Sequence, residues 1–112
     1  MFKLQPEPTF WADVKVKTTE GEQCFKMQFK HLDRIGYSDW LEAVTKIAKD
    51  LPQKTRVKKE VDLFMQVCCG WDVAETEFDR KALDLLVRNY LSAGSAIVVA
   101  YSEGIVGAQV KN

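Results

Sequence analysis

The chain has 112 residues, with 16 Lys plus Arg against 16 Asp plus Glu and one His, so its formal charge is zero; 46% of residues are apolar and 29% charged. That length fits one domain whose core needs no metal or disulfide staple. The apolar content argues against disorder, neutrality removes the basic footprint of a nucleic-acid binder, and no run approaches the ~18 apolar residues of a membrane-spanning helix.

Met1-Phe2-Lys3-Leu4 lacks the apolar core of a signal peptide, which points to a cytoplasmic protein. Residues 1–9 read as a loose lead-in. From Phe10 the pattern has period two: Phe10, Ala12, Val14 and Val16 alternate with polar residues, and so do Phe25, Met27 and Phe29 after the turn around Gly21. Two such runs across a short Gly-containing loop predict an antiparallel hairpin with one apolar face. The period then becomes helical. Ser38 is the expected cap of a helix carrying Trp40, Leu41, Val44, Ile47, Ala48 and Leu51, stopped by Pro52.

Thr55–Cys69 fits either period, because Val61, Leu63, Met65 and Val67 also alternate. Its length and its Lys, Glu, Leu, Met and Gln content favour a helix, with Gly70 as C-terminal cap. Thr76-Glu77-Phe78-Asp79 resembles a capping box before an amphipathic helix with Ala82, Leu83, Leu86, Val87, Tyr90 and Leu91. In residues 96–110, propensity suggests two strands. The four-residue recurrence of Ala96, Ala100, Gly104 and Ala108 suggests instead a helix, capped by Ser95, with a small-residue ridge for another helix. The expected fold is α+β: one domain over 1–112, an N-terminal antiparallel β-hairpin packed on a bundle of about four α-helices.

Little here supports catalysis. His31 is the single histidine, and in a continuous strand its odd offset from Cys24 puts the two on opposite faces. Cys24, Cys68, Cys69 and His31 match a zinc count, but adjacent Cys68 and Cys69 do not match zinc spacing. A vicinal redox pair would need exposure and a depressed thiol pKa; free thiols in a reducing compartment are the plainer reading. Gly104-Ile105-Val106-Gly107 lacks the ending of a phosphate loop. The expectation is a non-enzymatic protein with no cofactor and no metal. Charge is nevertheless uneven: Lys46, Lys49, Lys54, Arg56, Lys58 and Lys59 face only Asp50 and Glu60, and an acidic stretch follows from Trp71. The basic segment 46–60 is a solvated face or a dock for an acidic partner. It has no aromatics for base stacking, which argues against nucleic acid.

The order of short motifs resembles the tail assembly chaperones of long-tailed, siphovirus-type bacteriophages. It runs from Phe29-Lys30-His31-Leu32-Asp33 to Val67-Cys68-Cys69-Gly70-Trp71-Asp72-Val73, similar to a "V-x-x-G-W" element. It continues through Phe78-Asp79 opening a Leu-rich helix, then Ala96-Ile97, Ala100-Tyr101, Gly107-Ala108 and Lys111-Asn112. The resemblance implies a non-enzymatic role: binding a long helical tape-measure protein, keeping it soluble, and helping tail-tube subunits assemble around it. It also implies action in the host cytoplasm, absence from the finished virion, and a frameshifted longer product, for which A-rich Lys-Asn codons would suit. Candidate partner-binding residues are Trp71, Leu83, Leu86, Tyr90 and Tyr101, with Arg56, Lys58 and Lys59. Met27 and Met65 would add adaptability. A monomer or weak homo-oligomer is expected, with no nucleic acid and no membrane. The alternative is a small cytoplasmic adaptor that docks an acidic partner through 46–60.

Overall fold

The computed structural model describes residues 1–107; the expected helix beyond Gly107 and the Lys111-Asn112 ending lie outside the described residues. The alternating runs pair as predicted, β1 (Thr9–Thr18) with β2 (Gly21–Lys30), in a register that opposes Phe10 to Phe29, Ala12 to Met27 and Val14 to Phe25. Ala12, Val14, Val16, Met27 and Phe29 are buried, and Phe10 and Phe25 pack against them. Met27 is thus a core residue with no surface to adapt. The lead-in ends one residue early: Thr9 opens β1, and the His31 N–H donates to the Pro8 carbonyl at 2.9 Å. At the tip Gly21 takes φ +104°, a region that costs a side chain dearly. The Thr18 hydroxyl donates to the Gly21 carbonyl at 2.7 Å.

Four helices follow, so the α+β expectation holds, but several boundaries move. α1 (Arg34–Thr45) is capped by Asp33, not Ser38: Asp33 Oδ1 accepts the Gly36 N–H at 2.8 Å. It ends at Thr45, so Ile47, Ala48 and Leu51 lie in turns. Pro52 disfavours helical geometry at Leu51 and forces the reversal into α2 (Gln53–Val67). That helix buries Val61, Phe64 and Val67.

Gly70 does not cap α2. The backbone turns extended at Cys68 (φ −97°, ψ 136°), and Cys68–Trp71 forms β3. It pairs antiparallel with β2, giving the sheet order β1-β2-β3, with Phe29 opposite Cys68 and Gln28 opposite Gly70. Cys69 is therefore the extra residue of a bulge. The force behind this change is the outward edge of β2, whose peptide groups need partners that a longer helix would not supply.

α3 (Arg80–Asn89) and α4 (Ala93–Ile105) meet at a bend of 115°. Asp79, not Thr76, caps α3, accepting the Ala82 N–H at 2.7 Å. α4 begins at Ala93 rather than Ala96, so Ser95 is inside it. Ser92 occupies the cap position, but its hydroxyl turns to β1, accepting the Lys17 N–H at 2.9 Å and donating to the Lys17 carbonyl at 3.1 Å. Residues 96–105 are helical, not stranded. The ridge meets a strand instead of a helix: α4 lies along β1, and a Cβ at Gly104 would fall 2.5 Å from Phe10 Cε2 and 3.2 Å from Ala12 Cβ. Beside it Tyr101 is the aromatic hub. Its ring lies 5.0 Å from both Phe29 and Trp40, and its hydroxyl donates to the Lys30 carbonyl at 2.8 Å.

Candidate functional site

The hairpin outruns its cover. β3 pairs with β2 only as far as Met27, and Asp72 adds one more step, its carboxylate accepting the Lys26 N–H at 2.7 Å. Beyond that point the distal hairpin and α3 enclose an open groove of about 460 Å³, lined by Val16, Phe25, Trp71, Leu86 and Tyr90 among others. Its walls follow from the two periodicities. Val16 and Phe25 are the last inward apolar residues of their strands; Leu86 lies in the last turn of α3, and Tyr90 follows at its C-cap, where the backbone turns extended and its N–H donates to the Leu86 carbonyl.

Trp71 holds the groove's shape. Its ring is edge-on to Phe25 at 5.9 Å and to Phe78 at 5.2 Å, and its indole N–H donates to the Thr76 carbonyl at 2.8 Å. One side chain thereby ties β2, the loop after β3 and the approach to α3. Leu85, on α3, and Tyr90, just past its end, form an exposed apolar rim to the groove, 59% and 40% exposed; Leu91, in the turn that follows, is 99% exposed but lines a separate hollow with Val57 and Val87. The loop from Asp72 to Asp79 contributes Asp72, Glu75, Glu77 and Asp79 and no basic residue.

Three of the eight predicted contact residues, Trp71, Leu86 and Tyr90, converge on this groove. Leu83 and Tyr101 have no exposed surface and serve the core. Arg56, Lys58 and Lys59 sit on α2 and line no part of the groove. Lys58 and Lys59 are exposed. Arg56 is half-buried in a hollow shared with Val44 of α1 and Val98 of α4: burial pushes the Glu60 carboxyl up, and the Arg56 guanidinium partly offsets that. Arg56 Nε is buried without a hydrogen-bond partner among the described residues, so Arg56 is withdrawn from the predicted dock, while Lys46, Lys49, Lys54, Lys58 and Lys59 of the 46–60 segment are exposed. Leu85, Val16 and Phe25 also line the groove and are not among the predicted contacts. The available signal was the Leu85-Leu86 pair. Adjacent helical residues point ~100° apart, so one core-facing side leaves the other outside.

The cysteines are not arranged for reaction. Cys68 is buried, and burial pushes its thiol far above the ordinary range; Cys69 is exposed, its thiol donating to the Gln28 carbonyl at 3.5 Å. Cys24, at the groove's edge, is also pushed up, first by desolvation and then by Asp13, against the opposing pull of Lys15. A raised thiol pKa disfavours the nucleophilic thiolate. Among the described residues no group of three His, Cys, Asp or Glu could hold a metal ion, and no single helix is long and apolar enough to cross a membrane. The chemistry offered is apolar burial with polar margins.

A family model of phage tail assembly chaperones matches residues 1–112. The chain belongs to that family. No curated protein and no solved structure gives a match. In this chaperone the Val67-to-Trp71 element marks the switch from α2 to β3: Val67 anchors the helix end in the core, and Trp71 delivers its ring to the groove.

Proposed function

We propose that the protein binds the long helical tape-measure protein of its phage and keeps it soluble in the host cytoplasm. It also helps recruit tail-tube subunits, and it does not remain in the finished virion. It works by binding, without catalysis. The observation that carries the reading is the open apolar groove with its exposed rim of Leu85 and Tyr90, in a chain of the tail assembly chaperone family.

An amphipathic client helix lays apolar residues spaced three and four apart into such a groove. Burying an apolar side chain gains about 1.5–3 kcal/mol, and ordering it takes part of that back. So small a rim therefore gives weak, reversible contacts, suited to coating a long client at many similar places and then leaving. A frameshifted longer product would add a C-terminal extension; an overlapping open frame after a slippery A-rich run in the gene is the evidence required.

The test is co-expression with the long helical protein encoded beside this gene. The chaperone should raise that protein's soluble fraction and co-purify with it. Leu85→Asp, at a groove position outside the buried core, should abolish the gain. No rise in solubility together with no co-purification would sink the proposal.

A further inference from the structure

A second hollow, of about 420 Å³, lies between α1 and α2 and shares no lining residue with the groove. Its apolar lining is chiefly Ile47, Ala48, Leu51 and Leu63. The first three belong to the turns between the two helices; Ile47 and Leu51 are only half-buried, and none of the three belongs to the buried core. Scattered surface aliphatics are ordinary in a small protein. These share one concavity, and the charge around it is of one sign.

Lys46 and Lys59 line the hollow, and Lys49, Lys54 and Lys58 are exposed on the same short stretch of chain. Lys46 is held only by an exposed pair with Glu42, which is worth little. The other four lysines form no ion pair among the described residues. The nearby carboxylates do not answer them. Asp62 is taken by Arg80 at the start of α3, and Glu60 is half-buried and turned toward Gly94 of α4, which leaves Asp50. α2 also opens here, on Pro52, with no side-chain cap and no acidic residue in its first turn. That is where negative charge is ordinarily favoured, so the positive end of the helix adds to the lysines instead of being offset. Charge alone would suit any anion, and the aliphatic lining narrows the choice. With no aromatic side chain it gives a nucleic acid nothing to stack on. A protein segment with an aliphatic residue between carboxylates satisfies both the hollow and its margin.

We propose that the α1–α2 corner binds an acidic segment of a second protein. The segment sets an aliphatic side chain into the hollow, against Ile47, Leu51 and Leu63, and its flanking carboxylates meet Lys46 at the end of α1 and Lys59 on α2. Because the hollow and the groove have no residue in common, one chain holds this segment and a helical client at the same time. The corner is thus a second docking surface, beyond client binding and independent of it.

The test is a nuclear magnetic resonance titration of the full-length, nitrogen-labelled protein with a synthetic peptide, Glu-Asp-Leu-Glu-Glu-Leu-Asp-Glu, blocked at both ends. The backbone signals of Ile47, Ala48, Leu51 and Lys59 should shift, while the indole N–H of Trp71, which reports on the groove, should not. Added salt should weaken the binding. A control peptide with serine in place of both leucines should bind about tenfold or more weakly. Lys58→Glu with Lys59→Glu should weaken binding of the parent peptide about tenfold or more, with an unchanged far-ultraviolet spectrum because both side chains are exposed; Lys58→Arg with Lys59→Arg should bind like the wild type. Absence of shifts at the corner, equal binding of the serine peptide, or unchanged affinity in the charge-reversed variant overturns the inference. So does a single-stranded oligonucleotide that produces the same shifts at lower concentration than the peptide. Client solubilisation by the charge-reversed variant should match the wild type; its loss would make the corner part of the client site and refute the separation. A wild-type chain that binds the peptide but solubilises no client sinks the proposed function and leaves this inference standing.

Discussion

Replacing a helical glycine by alanine ordinarily stabilises a protein, by up to ~1 kcal/mol. α4 provides two such positions with opposite expectations. At Gly94 the added methyl meets the carboxylate end of Glu60, which can swing away, so Gly94→Ala should be neutral or stabilising. At Gly104 the methyl would sit 2.5 Å from Phe10 Cε2 and 3.2 Å from Ala12 Cβ. Neither neighbour yields easily. Phe10 is stacked on Tyr101 at 5.8 Å and packed on Phe29 at 5.7 Å, and Ala12 Cβ is fixed by the β1 backbone. Overpacking of this kind costs about 1–3 kcal/mol. It exceeds the propensity gain, which is also reduced because Gly104 lies in the helix's last turn. Gly104→Ala should therefore lose about 1 kcal/mol net, a fall of ~5 °C in Tm for a domain of this size. Phe10→Leu should recover part of that loss in the double variant and not in the wild type. Thermal melts followed by circular dichroism on the four proteins settle it. A higher Tm for Gly104→Ala would show that α4 does not press on β1 as described.

Three further outcomes are expected. Trp71→Ala removes two edge-on ring contacts and a hydrogen bond; urea melts should show a loss of about 2–4 kcal/mol, and a variant of unchanged stability would count against Trp71 as a structural tie. Asp79→Ala leaves the Ala82 N–H without its cap and should cost about 1 kcal/mol in the same assay. Burial raises the Glu60 pKa, so the folded state holds that proton more tightly than the unfolded state. Its contribution to stability therefore declines as pH rises from the ordinary carboxyl range through the raised folded value. Glu60→Gln should gain on the wild type between acidic and neutral pH; a difference constant with pH would contradict the assignment.

The hairpin was legible because period two over two runs admits one pairing that puts Phe10, Ala12, Val14, Val16, Met27 and Phe29 on one side. β3 was not. Cys68–Trp71 is four residues long, directly continues a helix and has no period of its own; what makes it a strand is an unpaired edge on β2, information that lies forty residues away in the chain. Helix starts failed for a related reason. Ser38, Thr76 and Ser95 are all chemically able to cap, and the choice of Asp33 and Asp79 depends on where the chain enters the core. Among the site residues, helical spacing found Leu86 and Tyr90 but could not say that Leu83 would be sealed in the core where α3 packs on α2. Tyr101 likewise shows as an aromatic in an apolar run, and only the meeting of β1, β2, α1 and α4 makes it a core hub.

The packing of α4 along β1 has a bearing on when this fold can exist. The first strand to leave the ribosome finds its principal apolar cover in the last helix of the described chain. Until Ile97, Ala100, Tyr101 and Gly104 have emerged, the inner face of the hairpin is open, and the local helices cannot seal it. Completion therefore waits on contacts between residues nearly a full chain length apart, the kind that close late and slowly. During synthesis the nascent chain shows an apolar sheet face. The core closes only when α4 is in place, so any change to the α4 sequence alters whether a chaperone forms at all before it alters what the chaperone binds.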